Sequence, residues 1–327
     1  MHKDQALFHN AIYLTGPTGV GKSEISLALA QHLGAEIIAL DAMTLYKGMD
    51  IGTAKPSPED QQRVPHHLID TVSPLENSDL EQYLASAHSV LEKIAGSGKR
   101  ALFVGGSPLY LKAALRGLSE LPHRDDAVRA RLEAEAAEVG VPALHARLAS
   151  VDAQSAGKIA ATDLRRVVRS LEIYDVSGGI PPSQLRGRHD TPAPPTVPVF
   201  ALLRNRAVLY DRINRRVDAM FAEGLVEEVG RLPQPLSRTA SQAVGYAEVL
   251  EMLAGRMSRD EAIERTKLRT RHYAKHQLTW FRNLHEVRGF SLEGRSAEEA
   301  LGELVRRIER VRQGESVPGD PIQTLPG

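Results

Sequence analysis

Gly16-Pro17-Thr18-Gly19-Val20-Gly21-Lys22-Ser23 decides how the rest of the chain is read. An apolar run, Ala11-Ile12-Tyr13-Leu14, precedes it, and a helical pattern over residues 24–33 follows. Strand, glycine-rich loop and helix in that order are the context a phosphate-binding P-loop requires. Gly16, Gly19 and Gly21 let the backbone curl until several N–H groups point at one anion, and the positive end of the helix adds to that field. Lys22 can reach the terminal phosphate, and Ser23 offers a hydroxyl to Mg²⁺. An ordinary glycine-rich turn capped by Ser23 would leave Lys22 without a purpose. The stretch is therefore read as a cradle for a diphosphate or triphosphate, ATP included.

At 327 residues the chain exceeds one minimal core and implies one large domain with an insertion, or two domains. Hydrophobic residues at 42% and charged residues at 25% are globular values. The absence of cysteine excludes disulfides, thiolate metal sites and a cysteine nucleophile. With 41 basic and 41 acidic residues, any nucleic-acid surface must come from local clustering. Residues 1–10 lack the basic-then-apolar order of a signal peptide, and no apolar run approaches the ~20 residues of a membrane span. A cytoplasmic protein with no membrane partner, acting as a monomer, is the expectation.

Downstream of the P-loop helix, Glu36-Ile37-Ile38-Ala39-Leu40 has the pattern of a short buried strand and runs into Asp41. Adjacent parallel strands share their carboxyl edge with the P-loop, which sets Asp41 near bound phosphate. Three roles stay open for it: a base, an indirect Mg²⁺ partner, or the cap of the next turn. Residues 42–65 form a polar loop too long for a plain connection. His66-His67 resembles a metal pair, but neighbours on a strand point to opposite faces. Residues 79–95 read as an amphipathic helix, and Ala101-Leu102-Phe103-Val104 as a strand ending in Gly105-Gly106-Ser107. Such an ending permits close approach of a ligand, or simply tight strand–helix packing.

From about residue 119 the composition turns rich in Ala, Glu and Arg, with helical spacing over 125–139 and 163–176. Residues 119–196 are read as a helical insertion, closed by a linker-like stretch from Ser177. Arg129, Arg165, Arg166 and Arg169 are its candidates for gripping phosphate backbone, though solvated arginines are commoner. The sheet resumes over 197–203, and helices follow to about residue 284. Between Arg265 and Arg282 lie six basic residues, no acidic ones, and Tyr273, Trp280 and Phe281. Lys267, Arg271 and Lys275 recur every fourth residue as one stripe, the pattern expected of nucleic-acid contact or of a solvated face. Residues 313–327 read as a disordered tail. The fold class is α/β: a P-loop NTPase-like parallel sheet flanked by helices (residues 1–118 and 197–312) with an all-helical insertion.

The chain also resembles the bacterial tRNA dimethylallyltransferases (tRNA isopentenyltransferases). The likeness rests on Gly16-Pro17-Thr18 with Gly21-Lys22-Ser23, on Asp41-Ala42-Met43-Thr44-Leu45-Tyr46, and on Gly48-Met49-Asp50-Ile51-Gly52-Thr53-Ala54-Lys55-Pro56. It continues through Val64-Pro65-His66-His67-Leu68-Ile69-Asp70, Val104-Gly105-Gly106-Ser107 with Leu109-Tyr110, and Arg212-Ile213 with Arg216-Val217-Asp218-Ala219-Met220. Gln242-Ala243-Val244-Gly245-Tyr246 and Ala274-Lys275 with Gln277-Leu278-Thr279-Trp280-Phe281-Arg282 complete it. The resemblance implies that the P-loop holds the diphosphate of dimethylallyl diphosphate as a leaving group, with Mg²⁺ assisting. It implies an acceptor at N6 of the adenosine 3′ of the anticodon, flipped out of the tRNA loop. Thr18, Lys22 and Asp41 would then be catalytic, with Asp41 the base and Ser23 on the metal. The tRNA anticodon arm would meet Asp41, Ala42, Met43, Thr44, Ser107, Gln242, Gly245, Tyr246, Arg271, Lys275 and Arg282 together with the insertion's arginines.

The departures from that resemblance cluster on the RNA side. The family reads Asp-Ser-x-Gln where this chain has Asp41-Ala42-Met43-Thr44, and a threonine where it has Ser107. Thr162-Asp163 replaces Asn-Asp, Ala247 a basic residue, and His276 an arginine. None falls on Lys22, Ser23 or Asp41. A transferase using a free adenine nucleotide would keep the P-loop and Asp41 but would not need the insertion or the basic helix; a small-molecule kinase using ATP at the same loop is told apart by ATP turnover, and a non-catalytic RNA-binding relative is the reading suggested by the lost Ser and Gln.

Overall fold

The computed structural model describes residues 3–118, 121–185 and 191–322. The chain forms two compact units, Met1–Leu115 with Pro192–Gly327, and Arg116–Thr191. The strands of the first unit are β1 (Ile12–Thr15), β2 (Ala35–Ala39), β3 (His66–His67), β4 (Arg100–Val104), β5 (Val199–Leu203) and β6 (Arg288–Ser291). They lie side by side as β3-β2-β4-β1-β5-β6, every neighbouring pair parallel. Helices α1 (Lys3–His9), α2 (Lys22–Leu33), α3 (Pro58–Arg63), α4 (Leu80–Gly96) and α5 (Pro108–Arg116) accompany the first four strands. The second unit carries α6 (Asp126–Val139), α7 (Val141–Val151), α8 (Ala153–Ala156), α9 (Leu164–Val176) and α10 (Pro182–Leu185). After β5 come α11 (Arg206–Ala222), α12 (Leu225–Arg231), α13 (Arg238–Ser241), α14 (Tyr246–Leu253), α15 (Arg259–Arg282) and α16 (Ala297–Arg312).

The period-2 geometry of the strands sorts the core into two layers. Ile12, Leu14, Ile37, Leu102, Phe200 and Leu202 point to the face covered by α2, α11, α15 and α16. Tyr13, Ile38, Phe103, Val199 and Ala201 point to the other, under α1, α4 and α5. Strand β1 is buried at all four positions, so it appears in sequence as an unbroken apolar run. The register Leu14↔Val104 and Ala39↔Val104 aligns the carboxyl ends of β1, β2 and β4. The P-loop, Asp41 and Gly105-Gly106-Ser107 consequently emerge at one sheet edge.

Three segments differ from the sequence expectation. Strand β6 and helix α16 had no predicted counterpart. Strand β6 is only four residues with a glycine, yet α16 has a full capping box from Ser296 and Glu299 and was legible. Residues 313–322 are not a disordered tail: Val317 is buried and Asp320 pairs with Gly289 beside β6. Residues 323–327 of that predicted tail lie outside the described residues. In the predicted linker, Pro182 is buried, the Ser183 N–H is held by Asp152, and Ala193 enters the core of the first unit; residues 186–190 lie outside the described residues.

The second unit is helical throughout its described residues, around Leu132, Leu144, Leu148, Val167 and Leu171. A fully buried carboxylate, Glu172, sits beside this cluster. It accepts the Asp125 N–H at 2.8 Å and pairs with Arg129 at 2.6 Å and Arg169 at 3.1 Å. Burial alone would raise its pKa, but the bonds from Arg129, Asp125 and Arg169 outweigh it and hold the carboxyl below its usual value. Arg129 and Arg169, predicted to grip RNA, are thus committed to neutralising Glu172, because a carboxylate cannot be buried unpaired at small cost. Arg166 is tied to Asp163, whereas Arg165 is exposed. Replacement Glu172→Ala leaves both guanidiniums without their anion and is expected to lower unfolding free energy by about 3 kcal/mol, measurable by urea titration.

Candidate active site

The P-loop is pinned from three directions before any ligand arrives. The Thr15 hydroxyl donates to the Gly105 carbonyl at 2.8 Å and ties β1 to the end of β4. Gln277, buried on α15, accepts the Thr18 N–H at 2.9 Å and donates its amide to the Gly106 carbonyl at 2.7 Å. A Cβ on Gly106 would stand 2.4 Å from that amide nitrogen, so a larger residue would displace the Gln277 side chain from this bond. On the outer side, Arg212 Nε donates to Gly19 O at 2.8 Å and Arg204 Nε to Val20 O at 2.9 Å. Gly21, at φ 104°, caps α2, and Lys22 and Ser23 open the helix.

Lys22 folds back on the loop, donating to Gly16 O at 2.9 Å and Pro17 O at 3.0 Å. Burial, with the nearby Arg216 charge, lowers its pKa to about 7 against the opposing pull of Asp41. Burial likewise lowers the pKa of Arg216, which Asp41 partly restores. Asp41 accepts the Met43 N–H at 2.8 Å and so does cap the following turn. It also lies in the same electrostatic cluster as Lys22 and Arg216, and burial raises its pKa despite both cations. The Ala42 N–H donates to Ser107 Oγ, Tyr273 lines the same cavity, and the Thr44 hydroxyl has no protein partner.

These groups line one cavity of about 890 Å³, whose lining residues all belong to the first unit. Thr18, Lys22, Ser23, Asp41, Thr44, Ser107, Arg212, Arg216, Gln242, Tyr246 and Tyr273 all contribute to its wall. The arrangement suits an anionic group held by cations and N–H donors, next to a desolvated carboxylate able to take a proton. The IPP transferase family profile matches residues 44–284. The chain belongs to the IPP transferase family. A tRNA dimethylallyltransferase of Rhodopirellula baltica is 44% identical over 306 residues, 90% of this chain and 91% of that one. The full-length tRNA isopentenylpyrophosphate transferase of Bacillus halodurans superposes with a TM-score of 0.70 at 36% identity, covering 94% of this chain and 97% of its own. The tRNA delta(2)-isopentenylpyrophosphate transferase of Staphylococcus epidermidis gives 0.65 at 31%, covering 92% and 98%.

In this IPP transferase the other predicted contact residues are distributed unevenly. Gln242 reaches the cavity wall, while Gly245 donates its N–H to Glu248. Tyr246, in the same wall, is fully buried with its hydroxyl on Glu228. On the α15 stripe Lys267 is neutralised by Asp218 at 2.8 Å and Glu264 at 2.9 Å, while Arg271 donates to the uncharged Asn214 side chain at 2.6 Å. Each stripe residue follows by one a residue packed toward the protein (266, 270, 274), so the stripe flanks the buried face and meets α11. Lys275 is half-buried and Arg282 exposed.

Gln277, Arg204, Arg212, Arg216 and Tyr273 were not singled out as site residues from sequence. Arg212 and Arg216 stand four apart on one helical face, a readable signal that the neighbouring Asp211 and Arg215 camouflage as ordinary surface charge. A polyanion binds the ammonium form of Lys22. That form dominates below the folded pKa of about 7; above it, binding must take up a proton, and affinity for inorganic diphosphate is expected to fall by up to about tenfold per pH unit. Calorimetry at about pH 8 in buffers of different ionisation enthalpy reads that uptake directly; its absence would mean that Lys22 is already charged.

Proposed function

We propose that this IPP transferase moves a dimethylallyl group from dimethylallyl diphosphate to N6 of adenosine 37, immediately 3′ of the tRNA anticodon, and releases diphosphate. The observation that carries the proposal is the junction of a phosphate cradle and a buried carboxylate, Lys22 with Asp41, in one cavity. The names of the relatives point the same way.

The C1–O bond of the donor breaks as the C1–N6 bond forms, and the N6 proton passes to the Asp41 carboxylate. The exocyclic amine is a weak nucleophile, and a desolvated carboxylate of raised pKa is a stronger base for it. The loop N–H groups, Thr18, Lys22 and the guanidiniums of Arg212 and Arg216 stabilise charge growing on the departing diphosphate. Among the described residues no three His, Cys, Asp or Glu side chains gather to hold a metal by themselves. The exposed Ser23 hydroxyl at the start of α2 suits Mg²⁺, a hard ion that keeps several waters and shares phosphate oxygens. When bound, Mg²⁺ would further neutralise the diphosphate.

The acceptor adenosine, unpaired in its loop, leaves the stack at a cost of a few kcal/mol. Ser107, Thr44 and Gln242 line the space around its target atom, and Lys275, Arg282 and Arg165 remain for phosphate contacts. A monomer working in the cytoplasm, where unmodified tRNA is found, completes the proposal.

Asp41→Asn keeps the turn's hydrogen-bond acceptor and removes the base. It is expected to cut transfer to tRNA by about 100-fold or more without weakening tRNA binding. Purified protein with labelled dimethylallyl diphosphate, Mg²⁺ and either unmodified tRNA or AMP is the assay. Label in AMP alone would indicate a free-nucleotide enzyme, and ATP-dependent phosphorylation a kinase.

A further inference from the structure

Residues 46–56 leave the turn after Asp41 and carry Gly52, Thr53, Ala54 and Pro56 into the cavity wall. An exposed loop of this kind would ordinarily be mobile, but here two charged side chains hold it. Glu228, buried on α12, accepts the N–H groups of Asp50 at 3.0 Å and Ile51 at 2.7 Å on one oxygen. Its other oxygen accepts the Gly52 N–H at 3.4 Å and the Tyr246 hydroxyl. Burial and then the Glu228 charge push the Tyr246 pKa far up, so the hydroxyl keeps its proton and donates it. On the same loop the Lys55 ammonium, almost wholly buried, donates to Tyr46 O, Asp50 and Asp70, each at 2.6 Å. All three of its protons are therefore used.

The fit is close as well as charged. A Cβ on Gly52 would stand 2.4 Å from the Tyr246 ring, so the main chain lies flat against it. A carboxylate collecting three successive N–H groups makes charge-assisted bonds of fixed direction. A buried charge is a poor way to add stability, and its best-attested use is to impose one arrangement over others. Glu228 and Lys55 impose it on the segment that faces the reacting groups.

We propose that Glu228 is a positioning residue for the transfer: through the main chain of residues 50–52 it fixes the wall against which acceptor base and allylic carbon are brought together. It touches neither substrate, and the proposal rests on the prenyl-transfer function above.

Glu228→Gln keeps the side-chain volume but turns one acceptor oxygen into a donor among donors. With saturating dimethylallyl diphosphate and tRNA, kcat is expected to fall by about 10- to 100-fold, the penalty for a wall displaced by about an ångström. The Kd for inorganic diphosphate should be unchanged, and amide exchange should accelerate at residues 50–52 but not at 16–22. Tyr246→Phe, which removes one donor and keeps the ring, should shift the same readouts less, and it decides the matter if Glu228→Gln does not fold. Full turnover despite faster exchange at 50–52 would overturn the proposal. So would a parallel loss of diphosphate affinity and melting temperature, the mark of a purely structural role. If the unsubstituted protein binds diphosphate yet prenylates no tRNA, the reaction assignment fails first and takes this proposal with it.

Discussion

A buried ammonium, close enough to the Asp41 carboxylate to feel its charge, governs the construction of the site. Lys22 can make only two bonds to loop carbonyls, and burial together with Arg216 depresses its pKa to about 7. Such a group gains most when an anion arrives, because the ligand supplies the charge that desolvation removed. The surrounding structure holds the loop around it in place. Gln277 joins the P-loop to the end of β4, Thr15 joins the same two strands, and Arg204 and Arg212 hold the loop's outer carbonyls. None of these bonds needs the ligand, so little rearrangement is required on binding, as preorganised electrostatic catalysis demands.

The same device recurs with opposite sign away from the P-loop. Glu228 gathers main-chain N–H groups and Lys55 gathers oxygens, so one loop is fixed by an anion and a cation that are each satisfied by the protein itself. In the second unit Glu172 is satisfied by Arg129 and Arg169. Charges that look available in the sequence are thus mostly consumed internally. At the cavity, among the described residues, Lys22 and Arg216 are buried charges without a salt bridge, and the Thr44 hydroxyl has no protein partner.

Much of the architecture was legible. The P-loop, the β2 strand into Asp41, the Gly-Gly ending of β4 and the helical insertion each follow from local pattern, because chain direction and side-chain period are local properties. Strand β6 was not legible, since four residues containing a glycine carry no periodic signal and form a strand only by pairing with β5. The basic stripe of α15 is a different case. Its spacing is plain, yet spacing gives no direction, and α11 supplies Asp218 and Asn214 to meet it.

By itself, then, the sequence determined the α/β class, the glycine-rich loop between strand and helix, and the aspartate at its side. These depend on residues within a few positions of each other and on a rule of parallel sheets that brings strand ends together. Only the tertiary structure decided which distant side chains complete the site. Gln277 lies 259 residues from Thr18, and Arg212 lies 193 from Gly19. Whether an arginine faces a substrate or a buried glutamate depends on which helix packs beside it, and that is fixed by the burial of apolar faces rather than by the charged residue's own neighbourhood.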